Sequence, residues 1–174
     1  MAQSLDPLSL IIGADLADAL SITHQPDGSI QQSLKTLEID PNFAVGHYAL
    51  GQAYAQKQLH EQAIGEFRKA IELGGHDDVF ESNLAYVYAI CGQRKQAQSL
   101  LLNLQMRKDL NPSAQANIAL IYVGLGDADQ ALDWLNRAYA SRFNPSILLR
   151  PAFDSLRADA RFQALRRRIG LAAQ

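Results

Sequence analysis

Small and large apolar residues recur along the chain with a period of 34 residues. Gly51, Ala85 and Ala119 occupy equivalent positions, and a tyrosine follows each of them three residues later. Small side chains let two antiparallel helices approach closely, and large ones fill the space beside them. A repeat this short cannot bury its apolar face alone, so the pattern predicts stacked helical hairpins. The other members of the pattern are Ala63, Ala97, Ala131, Phe67, Leu101 and Leu135.

Turn-forming residues interrupt each repeat in its middle and predict two helices per repeat. The interruptions lie at residues 57–60, 91–94 and 124–127, within repeats at 44–77, 78–111 and 112–145. Pro41 stops one helix before the next begins, so a weaker repeat is predicted at 10–43. Ser29 replaces the usual alanine there, which indicates a degenerate capping repeat. We expect four polar residues at its exposed end: Ser21, Gln31, Gln32 and Ser33.

The last part of the chain, residues 146–174, is predicted to be a C-terminal cap. Phe162, Leu165 and Ile169 form an apolar stripe at helical spacing. Asp159 precedes this stripe in the place of an N-cap, and Gly170 follows it in the place of a C-cap. We therefore expect a terminal helix that covers the open side of the last hairpin.

These features resemble the tetratricopeptide repeat (TPR) family, whose unit is a helix–turn–helix of 34 residues. Residues 63–73 (AIGEFRKAIEL) look very like a second TPR helix, although His47, Glu81 and Gln115 stand where the family often has tryptophan. The resemblance implies an all-α, TPR-type helical-hairpin solenoid of about four repeats with a C-terminal capping helix. We expect residues 1–174 to form a single domain.

The two ends of the chain extend the resemblance. The opening segment LDPLS at residues 5–9 and the closing segment FDSLRADARFQALRRRIGL at 153–171 resemble the C-terminal TPR region of bacterial multidomain regulators. In those proteins a kinase, cyclase or winged-helix domain precedes the repeats. The resemblance implies a protein–protein interaction and scaffolding role, as the regulatory region of a larger bacterial signalling protein.

TPR stacks bind partners in a concave groove lined by their first helices, and the family's groove positions can be carried over to this chain. The groove is expected to hold an apolar helix or an extended peptide with few charges. About half of its apolar residues are expected to pack against neighbouring helices instead. The groove residues are Val45, Tyr48, Gln52, Gln56, Ser82, Asn83, Tyr86, Ile90, Ser113, Asn117, Leu120 and Val123.

Some TPR proteins clamp a terminal carboxylate of chaperones with cationic groove residues. Asn83 fits one clamp position, and Asn117 lies where a cation is expected. Tyr48 and Ser113 occupy positions that should carry lysine. Without these cations the groove has little to offer an anion, so we predict against binding of chaperone tails.

The net charge of −2 hides an uneven distribution. Residues 1–141 carry 9 Lys and Arg against 16 Asp and Glu, whereas residues 142–174 carry 7 Arg and 2 Asp. The alternative function is therefore binding of a nucleic acid or an acidic partner by the arginines of the C-terminal end. Arginine clusters on a terminal helix are more commonly solvated faces, and nucleic-acid binding is the less favoured of the two alternatives. Head-to-tail self-association is a further possibility, because residues 1–34 contain no Lys or Arg. The basic end consists of Arg157, Arg161, Arg166, Arg167 and Arg168.

Catalytic, metal and cofactor sites are not predicted. The glycines of residues 124–127 lack the preceding strand and the third glycine of a phosphate-binding fingerprint, and they fit a turn in which Asp127 caps the next helix. His76, Asp77 and Asp78 fit a capped turn better than a metal site. Cys91 has the place of a core or helix-end residue. We expect an interaction protein that is not an enzyme.

The compartment is predicted from what the sequence lacks. The first residues have no basic segment and Asp15 and Asp18 interrupt the apolar stretch, so no signal peptide is expected. No apolar run is long enough to span a membrane. One cysteine fits a reducing compartment, and the prediction is a cytoplasmic protein.

Overall fold

A computed structural model describes residues 7–108, 110 and 112–171. These residues form antiparallel helical hairpins followed by a shorter helical segment. The chain divides between Phe80 and Glu81 into two compact units, which we call the N-terminal unit and the C-terminal unit.

The N-terminal unit holds two hairpins and the beginning of a fifth helix. Its helices are α1 (Pro7–Ile22), α2 (Pro26–Ile39), α3 (Ala44–Gln56) and α4 (His60–Gly74), followed by α5 (Asp78–Ile90). Gly51 on α3 faces Phe67 on α4, where an added methyl group would lie 3.0 Å from the ring. The small residue therefore lets the two helices of the hairpin close on a large one, as the sequence pattern requires.

The C-terminal unit contains most of α5 and the rest of the chain. Its further helices are α6 (Arg94–Gln105), α7 (Pro112–Leu125), α8 (Ala128–Ala140) and α9 (Ala160–Arg168). Two short 3₁₀ segments, Pro145–Leu149 and Pro151–Leu156, connect α8 to α9. Phe153, Phe162 and Leu165 are buried in one core with Leu135 and Ala138 of α8. This segment covers the last hairpin as the sequence predicted.

The backbone of every hairpin turn contains one residue in the left-handed region. These residues are spaced 34 apart and have φ values of 59° at His24, 59° at Gln58, 83° at Gly92 and 84° at Gly126. Glycine adopts this conformation without strain, whereas histidine and glutamine do so less readily. The first repeat therefore has the turn geometry of the others although its sequence is degenerate.

The predicted helix caps are confirmed where the structure shows them. The Asp127 carboxylate accepts a hydrogen bond of 3.0 Å from the backbone N–H of Gln130 at the start of α8. Asp77 accepts one of 2.7 Å from Val79, and Asp159 one of 2.8 Å from Arg161. Gly170 follows α9 with φ of 79°. These capping roles explain the acidic turns without a metal ion.

Two of the polar residues expected at the exposed end of the first repeat are buried instead. Ser21 and Ser33 have exposed fractions of 3% and 0%. Ser29 is a third serine in the same hairpin, and its hydroxyl donates a hydrogen bond of 2.8 Å to the Ala17 carbonyl oxygen. The expectation was wrong because these small polar side chains lie between helices, while aliphatic side chains occupy the outer face of α1.

Candidate interaction surface

The predicted groove residues of the N-terminal unit lie on one side of α3. Val45 is exposed, Tyr48 and Gln56 are half-buried, and Gln52 is buried. The Gln52 amide donates a hydrogen bond of 2.7 Å to the Tyr48 hydroxyl. The Gln56 amide donates one of 3.2 Å to the Ser21 carbonyl oxygen of α1. The two glutamines therefore hold neighbouring groups in place, and the accessible part of this α3 face is Val45 with the edge of Tyr48.

Aromatic packing fixes the Tyr48 ring. Its centroid lies 5.9 Å from that of Phe67 and 5.1 Å from that of Phe80, both in tilted geometry. Such pairs restrict rotation of the ring and leave the hydroxyl as its polar end. A ligand on the α3 face would meet a preorganised tyrosine.

The corresponding surface of the C-terminal unit lies where α5 and α7 meet. An added methyl group on Gly124 would lie 2.8 Å from Ala89 Cβ and 3.1 Å from Ile90 Cγ2, so glycine permits this close approach. Tyr86, Ile90 and Val123 remain half-buried beside it. We call these three residues, together with the half-buried Ser113, the α5–α7 face. Burial, and to a lesser extent the charge of Asp154, raises the pKa of Tyr86 to about 12.

Besides Gln52, four of the predicted groove residues are buried within the chain. Ser82 is 0% exposed, Asn83 4%, Asn117 1% and Leu120 1%. Only Leu120 among them is apolar, whereas the expectation of packing against neighbouring helices concerned the apolar members of the groove set. Sequence reasoning could not say which members would be buried, because the family pattern marks positions on a helix and not the depth of each side chain.

Asn117 differs from the other buried polar residues of the groove set. Neither its side-chain oxygen nor its side-chain nitrogen has a hydrogen-bond partner within the described part of the chain. A buried unsatisfied amide costs free energy and is uncommon in native proteins. Asn117 lies on α7 at one of the predicted groove positions.

Two of the predicted basic-end arginines are paired within the C-terminal unit. Arg161 forms ion pairs of 2.7 Å with Asp129 and 2.8 Å with Asp159. The Arg161 side chain, by its hydrogen bonds, lowers the pKa of Asp159 from 3.8 to about 2. Arg157 is held 2.5 Å from Asp154. Paired guanidinium groups attract phosphates less strongly, so the structure weakens the case for a nucleic-acid surface.

The expectation that Arg166 belongs to an exposed basic cluster is wrong. Its exposed fraction is 6%, because α9 turns this position toward the core beside Leu165. Arg167 and Arg168 are exposed, and the Arg168 guanidinium lies 4.7 Å from the centroid of Tyr139. Three consecutive arginines on a helix point in different directions, which composition alone does not reveal.

Sequence reasoning missed a pocket at the end of α8. Its volume is about 470 Å³, and it combines apolar walls with two arginines. The signal that could have found it is the pair Arg142 and Phe143 directly after the last hairpin, together with the basic end of α9. The principal lining residues are Tyr139, Arg142, Phe143, Pro145, Arg168 and Ile169.

Other kinds of site find little support in the described residues. Residues 7–108, 110 and 112–171 contain no group of three or more His, Cys, Asp or Glu side chains that could hold a metal ion. Cys91 is half-buried just after α5, with its Sγ 3.5 Å from the Tyr88 carbonyl oxygen, in agreement with the predicted helix-end role. No helix among the described residues is long and apolar enough to cross a membrane.

Helical hairpins with small residues at their crossings define a class of repeat proteins that bind other proteins. The sequence model of the tetratricopeptide repeat matches residues 9–168, and the chain belongs to this family. The all-α fold and the hairpin arrangement expected from the sequence are confirmed. The family and fold are those of generally non-catalytic modules for protein–protein interaction.

Two known proteins illustrate the likeness. The chain is 25% identical over 126 residues to anaphase-promoting complex subunit 3 of Schizosaccharomyces pombe; the match covers 71% of this chain and spans only 18% of that protein. The solved structure of YrrB, described as a TPR protein with an unusual peptide-binding site, superposes with a TM-score of 0.53 and 18% identity. That superposition covers 94% of this chain and 84% of YrrB, and it shows the common fold.

Proposed function

We propose that the chain binds an extended, weakly charged peptide segment of a protein partner at the α5–α7 face of the C-terminal unit. The observation that carries this proposal is the unsatisfied amide of Asn117. An extended peptide presents a free N–H and C=O at every residue, and a side-chain amide can pair with both. A helix has already paired these groups within itself, so it satisfies Asn117 less well.

The accessible side chains agree with a ligand of low charge. Val45, Tyr48, Tyr86, Ile90 and Val123 are apolar or aromatic, and none of the predicted groove residues is charged. Alternate side chains of an extended peptide would contact Tyr86, Ile90 and Val123 while its main chain pairs with the amide. Because Asn117 is only 1% exposed, neighbouring side chains must move before a ligand can reach its amide.

Selection from a library of random 12-residue peptides tests the proposal. Peptides that bind the full chain are measured by fluorescence anisotropy against the wild type and Asn117→Ala. We expect Asn117→Ala to weaken binding at least about tenfold, which corresponds to the roughly 1.4 kcal/mol of one hydrogen-bonded group. The free energy of unfolding should change by less than about 1 kcal/mol, since the variant also removes an unsatisfied buried group.

Asn136→Ala is the matched control. Asn136 is exposed on α8 and donates a 2.9 Å hydrogen bond to the Leu132 carbonyl oxygen, so its removal should leave peptide binding unchanged. Proline substitution along the selected peptide separates the two ligand forms, because an extended peptide tolerates proline and a helix does not. Binding that survives both Asn117→Ala and Tyr86→Ala would refute a peptide site on the α5–α7 face.

We also propose that the chain serves as the regulatory region of a larger bacterial signalling protein in the cytoplasm. The resemblance of the closing segment at 153–171 to such regulators supports this context, and the single cysteine agrees with a reducing compartment. Reading the gene in frame on both sides of this sequence tests the proposal. A kinase, cyclase or winged-helix domain is expected, and an interrupted reading frame on both sides would contradict it.

A further inference from the structure

The outer face of α1 is apolar and open. Leu8 is 61% exposed, Ile12 57% and Leu16 48%, and Ile11 beside them is 51% exposed. These residues lie at helical spacing and form one stripe, which we call the α1 stripe. A continuous apolar stripe on a helix surface commonly marks an interaction site.

The repeat itself shows what such a face does. Thirty-four residues later, Gly46 and Leu50 of α3 occupy the positions of Ile12 and Leu16. Leu50 is 2% exposed, and a methyl group on Gly46 would lie 2.9 Å from Leu37 Cδ2 of α2. The positions of Ile12 and Leu16 are therefore buried in α3 and exposed in α1.

The charge around the α1 stripe restricts its partner. Asp15 is exposed within the stripe, and residues 7–34 also contain Asp18 and Asp27 but no Lys or Arg. A partner should combine apolar contact with positive charge, because an acidic one would be repelled.

The pocket at the end of α8 has this chemistry. Tyr139, Phe143 and Ile169 provide its apolar walls, while Arg142 and Arg168 provide two cations. Among the described residues that line the pocket, none is acidic. The contact of Arg168 with the Tyr139 ring, at 4.7 Å, places one guanidinium beside the apolar wall before any ligand arrives.

We propose that α1 of one copy docks at the pocket of a second copy, with its aliphatic stripe against the aromatic wall and Asp15 beside Arg142 and Arg168. The contact joins two different surfaces and is therefore heterologous, so it leaves an unused stripe and an unused pocket at each step and can extend into longer assemblies. Four partly exposed aliphatic side chains supply less contact area than the roughly 800 Å² per partner of a stable complex. Association is weak, increases with protein concentration and decreases with salt.

Sedimentation velocity of the full chain, from micromolar to near-millimolar concentration at low salt, tests the proposal. The wild type should show a weight-average mass that rises with concentration. Asp15→Lys and the double variant Arg142→Glu/Arg168→Glu should each remain monomeric at concentrations where the wild type associates. An equimolar mixture of these two proteins should associate again, because each supplies the surface that the other lacks.

Matched variants control for net charge. Asp133→Lys on α8 changes the charge as Asp15→Lys does, and Lys35→Glu/Lys95→Glu changes it as the arginine variant does; all three residues are exposed and lie outside both surfaces. Far-ultraviolet circular dichroism confirms that each variant is folded, and a misfolded arginine variant is replaced by Arg142→Glu alone. A wild type that stays monomeric over the whole range overturns the proposal. Association that Arg142→Glu/Arg168→Glu does not weaken overturns it too, since α1 would then pair with another surface.

Discussion

The first and the last hairpin present their outer faces in opposite ways. In the last hairpin, Leu135 and Ala138 of α8 share a core with Phe153, Phe162 and Leu165, all of which are almost fully buried. In the first hairpin, Leu8, Ile12 and Leu16 of α1 are about half exposed or more. The comparison teaches that a repeat makes an apolar face at each end whether or not another element covers it, because the face belongs to the repeat.

The largest predicted effect is the difference in stability between two variants, each of which truncates one leucine, in the first or in the last part of the chain. We expect Leu165→Ala to lower the free energy of unfolding by about 2–5 kcal/mol, because the side chain is 2% exposed and its loss leaves a cavity. Leu16→Ala should cost less than about 1 kcal/mol, since much of that side chain already contacts water. Urea unfolding followed by the fluorescence of Trp134 measures the first variant, and circular dichroism the second.

Leu50→Ala completes this test. Leu50 is the repeat equivalent of Leu16 and is 2% exposed, so its loss should resemble that of Leu165. If Leu16→Ala destabilised dilute protein as much as Leu50→Ala, the α1 stripe would be covered in solution and the contrast between the ends would disappear.

A smaller effect should appear at alkaline pH in the covered end. Folding raises the pKa of Tyr86 from 10.0 to about 12, first through burial and then through the charge of Asp154 in the capping segment. The neutral phenol is favoured in the folded state, so this stabilisation is complete below pH 10 and is lost as pH rises toward about 12. The loss amounts to roughly 2–3 kcal/mol, and unfolding in urea at a series of alkaline pH values measures it.

Tyr86→Phe should remove this part of the pH dependence, because phenylalanine does not ionise. Asp154→Asn should reduce it only slightly, since burial is the larger cause. An unchanged alkaline profile in Tyr86→Phe would show that another group titrates there.

The smallest effect should be found at acid pH, at the start of α9. The folded pKa of Asp159 lies near 2 instead of 3.8, chiefly because of its hydrogen bonds with Arg161. Its ionised form is favoured by folding, so the contribution is present above about pH 4 and is lost as pH falls toward 2. The melting temperature of the wild type should therefore drop over this range more than that of Asp159→Asn. The asparagine keeps a capping oxygen but has no carboxylate to titrate, and parallel profiles would mean that the ion pair contributes nothing.

Much of the fold could be predicted because the repeat combines a period with turn chemistry. The interruptions at residues 57–60, 91–94 and 124–127 overlap the breaks between helices, and Asp127 and Asp159 cap helices as expected. Local hydrogen bonding determines such caps, so a short stretch of sequence contains the needed information.

Burial within the candidate site was harder to predict, because it depends on neighbours distant in sequence. Arg166 is buried between the buried Leu165 and the exposed Arg167, and Asn117 is buried although the family pattern marked a groove position there. The α1 stripe was missed for a related reason. Periodicity identifies which residues share a face of a helix. It does not tell whether another helix of the folded chain covers that face.

The left-handed residue at each hairpin turn has a consequence for engineering. His24 and Gln58 adopt at φ of 59° a backbone that Gly92 and Gly126 adopt freely, so the four turns are geometrically interchangeable while two are chemically suboptimal. One hairpin could then be replaced by another at these turn positions, with little adjustment of the backbone. The turns at His24 and Gln58 are also where a consensus glycine would make a longer or shorter array easier to assemble.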